Sequence, residues 1–318
     1  MANQTMNRFI EEIMPPGKDP RAIVAACRGD EKRRWLQCEA EASLQGTSRG
    51  ARLKADPLVR FCFEHLTPSQ QRALEADLEL ASEIQNTLLP PKHICYGGWE
   101  VAYHYKGAGL TSGDYCDLVM AGNRQLYAII GDVTGKGFAA SLLMAHLQAT
   151  FRALISLDFP LNQIVERASR SFCEMTMPAY FATLVCMKAD CSGNVEVSNA
   201  GHLPPLLVHN GEITEINATG LPLGLFNDEK FSISKISASP GDTIFLYTDG
   251  LSEASNHETV QYGTERLHTL LKRHYRLPPR DLISAYLRDL ESFRSRSSRR
   301  DDLTIMAIRR SKQRRRTT

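Results

Sequence analysis

Residues 126–147, LYAIIGDVTGKGFAASLLMAHL, contain the transition on which the fold depends. Leu126 to Ile130 is an apolar run of strand type, and it stops at Gly131-Asp132. After Thr134-Gly135-Lys136-Gly137 a helical pattern starts at Phe138 and continues to Leu157. The glycines let the backbone turn sharply and come close to whatever the carboxylate holds. Outward from this stretch, short β-rich runs recur: GWEVAYHY (98–105), YCDLVM (115–120), FATLVCMKA (181–189), GNVEVSNA (193–200), LPPLLVH (203–209), GEITEIN (211–217), FSISKIS (231–237), DTIFLYTD (242–249) and LTIMAIR (303–309). Ala121-Gly122-Asn123 and Ser192-Gly193-Asn194 read as hairpin turns, which make neighbouring strands antiparallel. Helical patterns over 161–175, 262–275 and 280–294 are grouped in blocks between the strands. The expected class is α+β: layered, mainly antiparallel sheets flanked by helices.

A chain of 318 residues is long enough for one large domain with an appendage. Hydrophobic residues at 42% and charged residues at 23% exclude collagen-like, purely coiled-coil and wholly disordered classes. No apolar run reaches the roughly 18–20 residues of a membrane span, and MANQTMNRFIEE lacks a signal-peptide core, so a cytoplasmic location is expected. The net charge of +2 conceals an uneven distribution, because RRSKQRRRTT at the end holds six basic side chains. Basic charge in a solvated tail, placed here at 311–318, argues against a nucleic-acid-binding face. The eight cysteines show neither a C-x-x-C pair nor zinc-like spacing, so free thiols are expected rather than a disulfide framework.

Residues 1–66 form a small region with a breaker at Met14-Pro15-Pro16-Gly17 and no legible chemistry; a regulatory role is expected for it. Thr67-Pro68-Ser69-Gln70 then has the pattern of a capped helix start. Leu74, Leu78, Ala81, Ile84 and Leu88 make an apolar stripe that Pro90-Pro91 ends, so 67–91 reads as an amphipathic linker helix. Packing on the following domain and pairing with a second copy account equally well for such a stripe.

Acidic residues stand where apolar strands start or stop: Asp114 and Asp117 in GDYCD, Asp132 in GDVTGKG, Asp249 in YTDG, and Asp301-Asp302 in RRDDLTIMAI. Singly, each is a turn residue. Four strand-end occurrences suggest a shared site, and carboxylates gathered in one place call for a hard divalent cation such as Mg²⁺ or Mn²⁺.

In this order, GDYCD, GDVTGKG, NAGHLPPLL, GLPLGL, YTDGLSEA and DDLTIMAI resemble the SpoIIE-type, RsbU-like branch of the PPM (PP2C-like) serine/threonine phosphatases. The helix ending LELASEIQNTLLPP is similar to the linker of that group, and the likeness covers roughly residues 77–310. Cys116 where an aromatic is usual and Thr134 in place of a common Ser are small departures. The resemblance implies an α-β-β-α sandwich over 92–310. It implies two divalent cations, with Asp132 bridging them, Asp249 and Asp301 completing one, the Val133 carbonyl as a further ligand, and Asp114 in a second-sphere or third-metal role. Asp302 is expected to support the site with ligation as its fallback, and Asp117 to face solvent or back the site. The implied reaction is hydrolysis of phosphoserine or phosphothreonine by a metal-activated water. The implied substrate is a regulatory phosphoprotein, a STAS-type anti-sigma-factor antagonist in a partner-switching pathway.

Lys136 is a candidate for phosphate binding. His202 is a candidate at the substrate, although a histidine in a turn between strands is more often structural. CRGDEKR (27–33) has the C-x5-R spacing of a cysteine phosphatase, but its acidic residues would repel phosphate. GDVTGKG is not a nucleotide P-loop, since its glycine spacing is short and Gly137 stands where Ser or Thr would bind magnesium. A catalytically silent module of the same fold would usually have lost a carboxylate, and none is lost here. The linker helix is expected to form a homodimer and to act on residues 135–140, with an upstream regulator at the amino-terminal region.

Overall fold

The computed structural model describes residues 68–177, 180–294 and 301–311. The readings made for residues 1–66, for the Thr67 cap and for the tail beyond Ser311 lie outside them. Helix α1 (Pro68–Leu88) comes first, then β1 (His93–Tyr96), β2 (Trp99–Lys106), β3 (Asp114–Ala121) and β4 (Gln125–Val133). Two long helices follow, α2 (Phe138–Ile155) and α3 (Leu161–Met175). Strands β5 (Ala182–Ala189), β6 (Asn194–Ala200), β7 (Leu206–His209), β8 (Glu212–Glu215), β9 (Ser234–Ser237) and β10 (Thr243–Tyr247) come next. The described chain closes with α4 (Asp249–Ser252), α5 (Gly263–His274), α6 (Pro279–Arg294) and β11 (Leu303–Arg310).

The strands form two antiparallel sheets, ordered β1-β2-β11-β10-β7-β8 and β3-β4-β5-β6-β9. Side-chain alternation explains the layering, because successive residues of a strand face opposite sides. In β4, Leu126, Ala128 and Ile130 enter the core between the sheets with Val101, Leu246 and Met306. Tyr127 and Ile129 face the other way and pack under Met144, Leu147 and Phe151 of α2 and Phe172 of α3. On the outer face of the six-stranded sheet, Phe245, Tyr247 and Ile305 pack against Leu271 of α5 and Tyr286 of α6. The result is the α-β-β-α sandwich that the resemblance implies.

All ten strand runs and all four later helices expected from sequence are present. LPPLLVH is shortened, with Pro204 and Pro205 left outside β7, because proline lacks a ladder donor. The expected hairpin at Ala121-Gly122-Asn123 is made with a short 3₁₀ turn, in which Asn123 (φ 56°) and Arg124 (φ 58°) are left-handed.

Arg309 and Arg310 end β11, inside the expected domain, and the Arg309 guanidinium caps carbonyls of Tyr275 (2.7 Å) and Leu277 (2.9 Å) after α5. Three expectations are corrected. Helix α2 has the length and the mean hydropathy (1.3) of a membrane span, which counting uninterrupted apolar runs missed; its Met144, Leu147, Phe151 and Ile155 lie in the core. In α1, Leu78 is packed by Leu74 and Leu110, but Ile84 is exposed and Gln85 is buried in its place. Asp117 neither faces solvent nor backs the site: its side chain is fully buried and accepts from Arg152 Nε and Nη2, both at 2.8 Å, and from the Leu118 amide at 2.8 Å.

This bidentate pair ties α2 to β3, and without Arg152 a buried carboxylate would lose its countercharge. Arg152→Ala is expected to lower the free energy of unfolding by about 3 kcal/mol in chemical denaturation. A loss below about 1 kcal/mol would show that solvent replaces the guanidinium at no structural cost.

Candidate active site

The two sheets come together at one end. In the five-stranded sheet, Asp114 at the start of β3 is the register partner of Asp132 near the end of β4. In the six-stranded sheet, β10 runs out at Tyr247 opposite Ile305, so Asp249, just after β10, and Asp301-Asp302, just before β11, share an edge. Hydrogen bonds join the two edges. Asp114 Oδ2 accepts from the Thr248 hydroxyl at 3.0 Å and from the Thr304 hydroxyl at 2.5 Å. Asp302 accepts the amides of Ala108 (2.7 Å) and Gly113 (2.8 Å), which holds the 107–113 loop across the seam. Asp301 pairs with Lys136 Nζ at 3.1 Å and accepts the Asp302 amide at 3.0 Å.

Glycines permit the close approach. A methyl group on Gly250 would fall 1.7 Å from the Asp302 carbonyl oxygen, so only glycine lets the start of α4 lie against the Asp301-Asp302 backbone. A methyl on Gly113 would lie 3.1 Å from the Val133 carbonyl oxygen and 3.5 Å from Asp132 Oδ1, which places those two oxygens around one point.

The carboxylates resist ionisation together. Burial, then the charge of Asp302, pushes Asp114 well above the usual carboxylate range, against the pull of the Thr304 and Thr248 hydroxyls. Asp132 is raised in the same way by burial and by Asp114, Asp249, Asp301 and Asp302. Asp249 is raised to about 7 by burial, Asp301 and Glu253, with Lys136 opposing. Burial also raises Asp302, against the amides it accepts. Among the described residues no three His, Cys, Asp or Glu side chains are grouped so that they could hold a metal ion as they stand. The donor set is nonetheless all oxygen and crowded, which fits hard divalent cations such as Mg²⁺ or Mn²⁺.

The remaining expected residues separate. Lys136 lies at the rim, its side chain half-exposed beside Asp301. His202 is buried: Nδ1 is 2.9 Å from Thr183 Oγ1, Nε2 is 3.1 Å from the Tyr247 carbonyl, and its amide donates to Asn199 Oδ1 at 2.8 Å. Burial lowers its pKa to about 4, so the ring is a neutral strut between the sheets, with both nitrogens engaged, rather than a group free to reach a substrate.

Three functional positions were not singled out from sequence. Thr248 and Thr304 stand next to or near the carboxylates in YTDG and DDLT, where a hydroxyl at a strand end was the available signal. Gln85 of α1 accepts the Ser112 amide at 3.0 Å and donates to the Ser112 carbonyl at 2.7 Å, while Ser82 donates to the Leu110 carbonyl at 2.6 Å. These bonds run to the loop leading into Asp114, not to residues 135–140. The spacing 74, 78, 81, 85, 88 places Gln85 on the inner face, which an eye for apolar residues passes over.

Residues 122–311 match the family described as stage II sporulation protein E (SpoIIE). Over 240 residues the chain is 25% identical to the phosphoserine phosphatase RsbP of Bacillus subtilis, covering 73% of this chain and 57% of that protein. The solved RsbU and RsbW domains of a Mycobacterium tuberculosis protein superpose with a TM-score of 0.59 at 26% identity, over 70% of this chain and 62% of that one. The SiaA-PP2C domain of Pseudomonas aeruginosa superposes with a TM-score of 0.66 at 20% identity, over 76% of this chain and 99% of that domain, so the two share a fold. The chain spans 41% and 57% of the first two curated relatives it matches, about half their length.

The raised carboxylates give a pH signature in metal-free protein. Folded Asp249 keeps a proton up to about pH 7 that the unfolded chain releases near pH 4, so the folded state binds more protons in that window and loses stability as pH rises through it. In chelator the melting temperature is expected to fall from pH 5 to pH 8, less steeply in Asp249→Asn, and Mn²⁺ should raise it more at pH 8 than at pH 5. Parallel slopes in the two proteins would refute this account of Asp249.

Proposed function

Because the chain belongs to the SpoIIE family, we propose that it is a divalent-cation-dependent protein serine/threonine phosphatase acting on a phosphorylated regulatory protein. The observation that carries this reading is the convergence of Asp114, Asp132, Asp249, Asp301 and Asp302 on the seam between the sheets. Asp132 and the Val133 carbonyl hold the centre from the five-stranded sheet, and Asp249 and Asp301 hold it from the six-stranded sheet. Asp114 orders the seam from beneath, in a second-sphere or third-metal role. Asp302, with both oxygens accepting loop amides, organises residues 107–113. Two divalent cations, Mn²⁺ or Mg²⁺, would supply there a water acidic enough to act as nucleophile and neutralisation of developing phosphoryl charge. Lys136 is placed to exchange its bond to Asp301 for one to a phosphoryl oxygen. No side chain with the burial and bonding of His202 serves as acid for the leaving group.

A protein substrate is supported by the rim. Thr134, directly after Val133, exchanges hydrogen bonds with Phe181, and Ala182 pairs with Leu223, so three segments border the same side of the centre. They expose Phe138, Met175, Met177, Leu225 and Phe226. Adaptable apolar surface next to a phosphoryl-binding centre suits the face of a folded partner around its phosphorylated side chain. That partner is proposed to be a STAS-type anti-sigma-factor antagonist in a partner-switching pathway; the name of RsbP, a phosphoserine phosphatase, supports the phosphoserine in it. Residues 92–310 are assigned to catalysis and 1–66 to receiving an upstream signal. Helix α1 would relay that signal through Gln85 to the 107–113 loop, its outward Leu80 and Ile84 being free to pair with a second copy.

Release of phosphate from a phosphoserine peptide should require Mn²⁺ or Mg²⁺ and stop with chelator. Asp132→Asn should lower it by about a hundredfold or more. Equal release by the variant and the parent protein would remove Asp132 from the centre.

A further inference from the structure

The two sheets are joined at the carboxylate seam by a closed set of buried hydrogen bonds. Asp114 begins β3 of one sheet, whereas Thr248 follows β10 and Thr304 lies in β11 of the other. Both hydroxyls donate to the same oxygen, Asp114 Oδ2, at 3.0 and 2.5 Å. The Thr248 hydroxyl oxygen in turn accepts the Thr304 amide at 3.0 Å, and the Thr248 amide donates to the Thr304 carbonyl at 3.0 Å. Asp114 is 1% exposed and both threonines are fully buried, so no water shares these bonds at the surface. A hydroxyl has one proton to give, and both threonines direct theirs to one carboxylate oxygen while backbone groups fix the threonines themselves.

The clamp lies close to the carboxylates of the centre, along the chain or across the ladder. Thr248 precedes Asp249, Thr304 follows Asp302 by two residues, and Asp114 faces Asp132 across the ladder. We propose that Thr248 and Thr304 are positioning residues that set the separation of the two halves of the cation centre by holding Asp114 Oδ2, leaving Oδ1 to the cluster. Valine has the shape of threonine without the hydroxyl, so it would keep the packing and release the carboxylate. A cation that draws ligands from both sheets would then have to be bound by halves no longer held in register. Serine would keep the bond.

The inference rests on the reading of the carboxylates as a cation centre, and calorimetric titration with Mn²⁺ tests the two separately. The parent protein should bind Mn²⁺; if it does not, the cation reading fails and the clamp has nothing to position. Given binding, Thr248→Val and Thr304→Val should weaken Mn²⁺ affinity by about ten- to hundredfold, the range of one hydrogen bond to a charged group, and lower kcat more than they raise KM. Thr248→Ser and Thr304→Ser should bind within about threefold of the parent. Parent-like affinity in the folded valine variants would overturn the proposal, as would serine variants no better than valine. Should a valine variant fail to fold, Thr248→Ala, which loses the longer of the two bonds, takes its place under the same criteria.

Discussion

Carboxylates gathered at a buried seam repel one another, and much of the local structure at the sheet ends serves to contain that repulsion. At an effective dielectric constant of about 20, two unit charges 4 Å apart oppose each other by roughly 4 kcal/mol. Among the described residues the chain answers with hydrogen-bond donors and a lysine: two hydroxyls on Asp114, two amides on Asp302, and Lys136 on Asp301. What remains uncompensated appears in the raised pKa values of Asp114, Asp132 and Asp249. A structure that keeps such a cluster against its own electrostatics has a charge-balancing partner as its most economical explanation.

The same seam explains the glycines and the layering. Strands buried on both faces supply rigid ends, and the absence of a side chain lets Gly113 lie against Asp132 and Val133 at the end of one sheet and Gly250 against Asp302 at the end of the other. Helices α2 and α3 cover one sheet and α5 and α6 the other, so the strand ends carrying the carboxylates are anchored in three apolar clusters. Helix α1 adds a connection of a different kind. Its Gln85 satisfies both backbone groups of Ser112, one residue before Gly113, whose amide is held by Asp302.

Most of the architecture was legible because strand alternation and helix periodicity are local signals. Leu126 to Ile130 announces a strand buried on both faces, and Phe138 to Leu157 announces a helix, before any tertiary contact is known. The acidic residues at strand ends were legible for a similar reason, since each stands at a change of pattern. Residues whose role depends on a distant partner were not. Asp117 looks like any strand-end aspartate until Arg152, 35 positions away, arrives on α2. Thr248 and Thr304 are ordinary strand-end threonines until Asp114 meets them across the seam.

Anomalous diffraction from crystals grown with Mn²⁺ addresses the central claim most directly. The account requires two peaks about 3.5–4 Å apart with Asp132 between them and Asp249 and Asp301 on one of them. Saturating Mn²⁺ that leaves the seam without a peak, or that binds only away from Asp132, would contradict it.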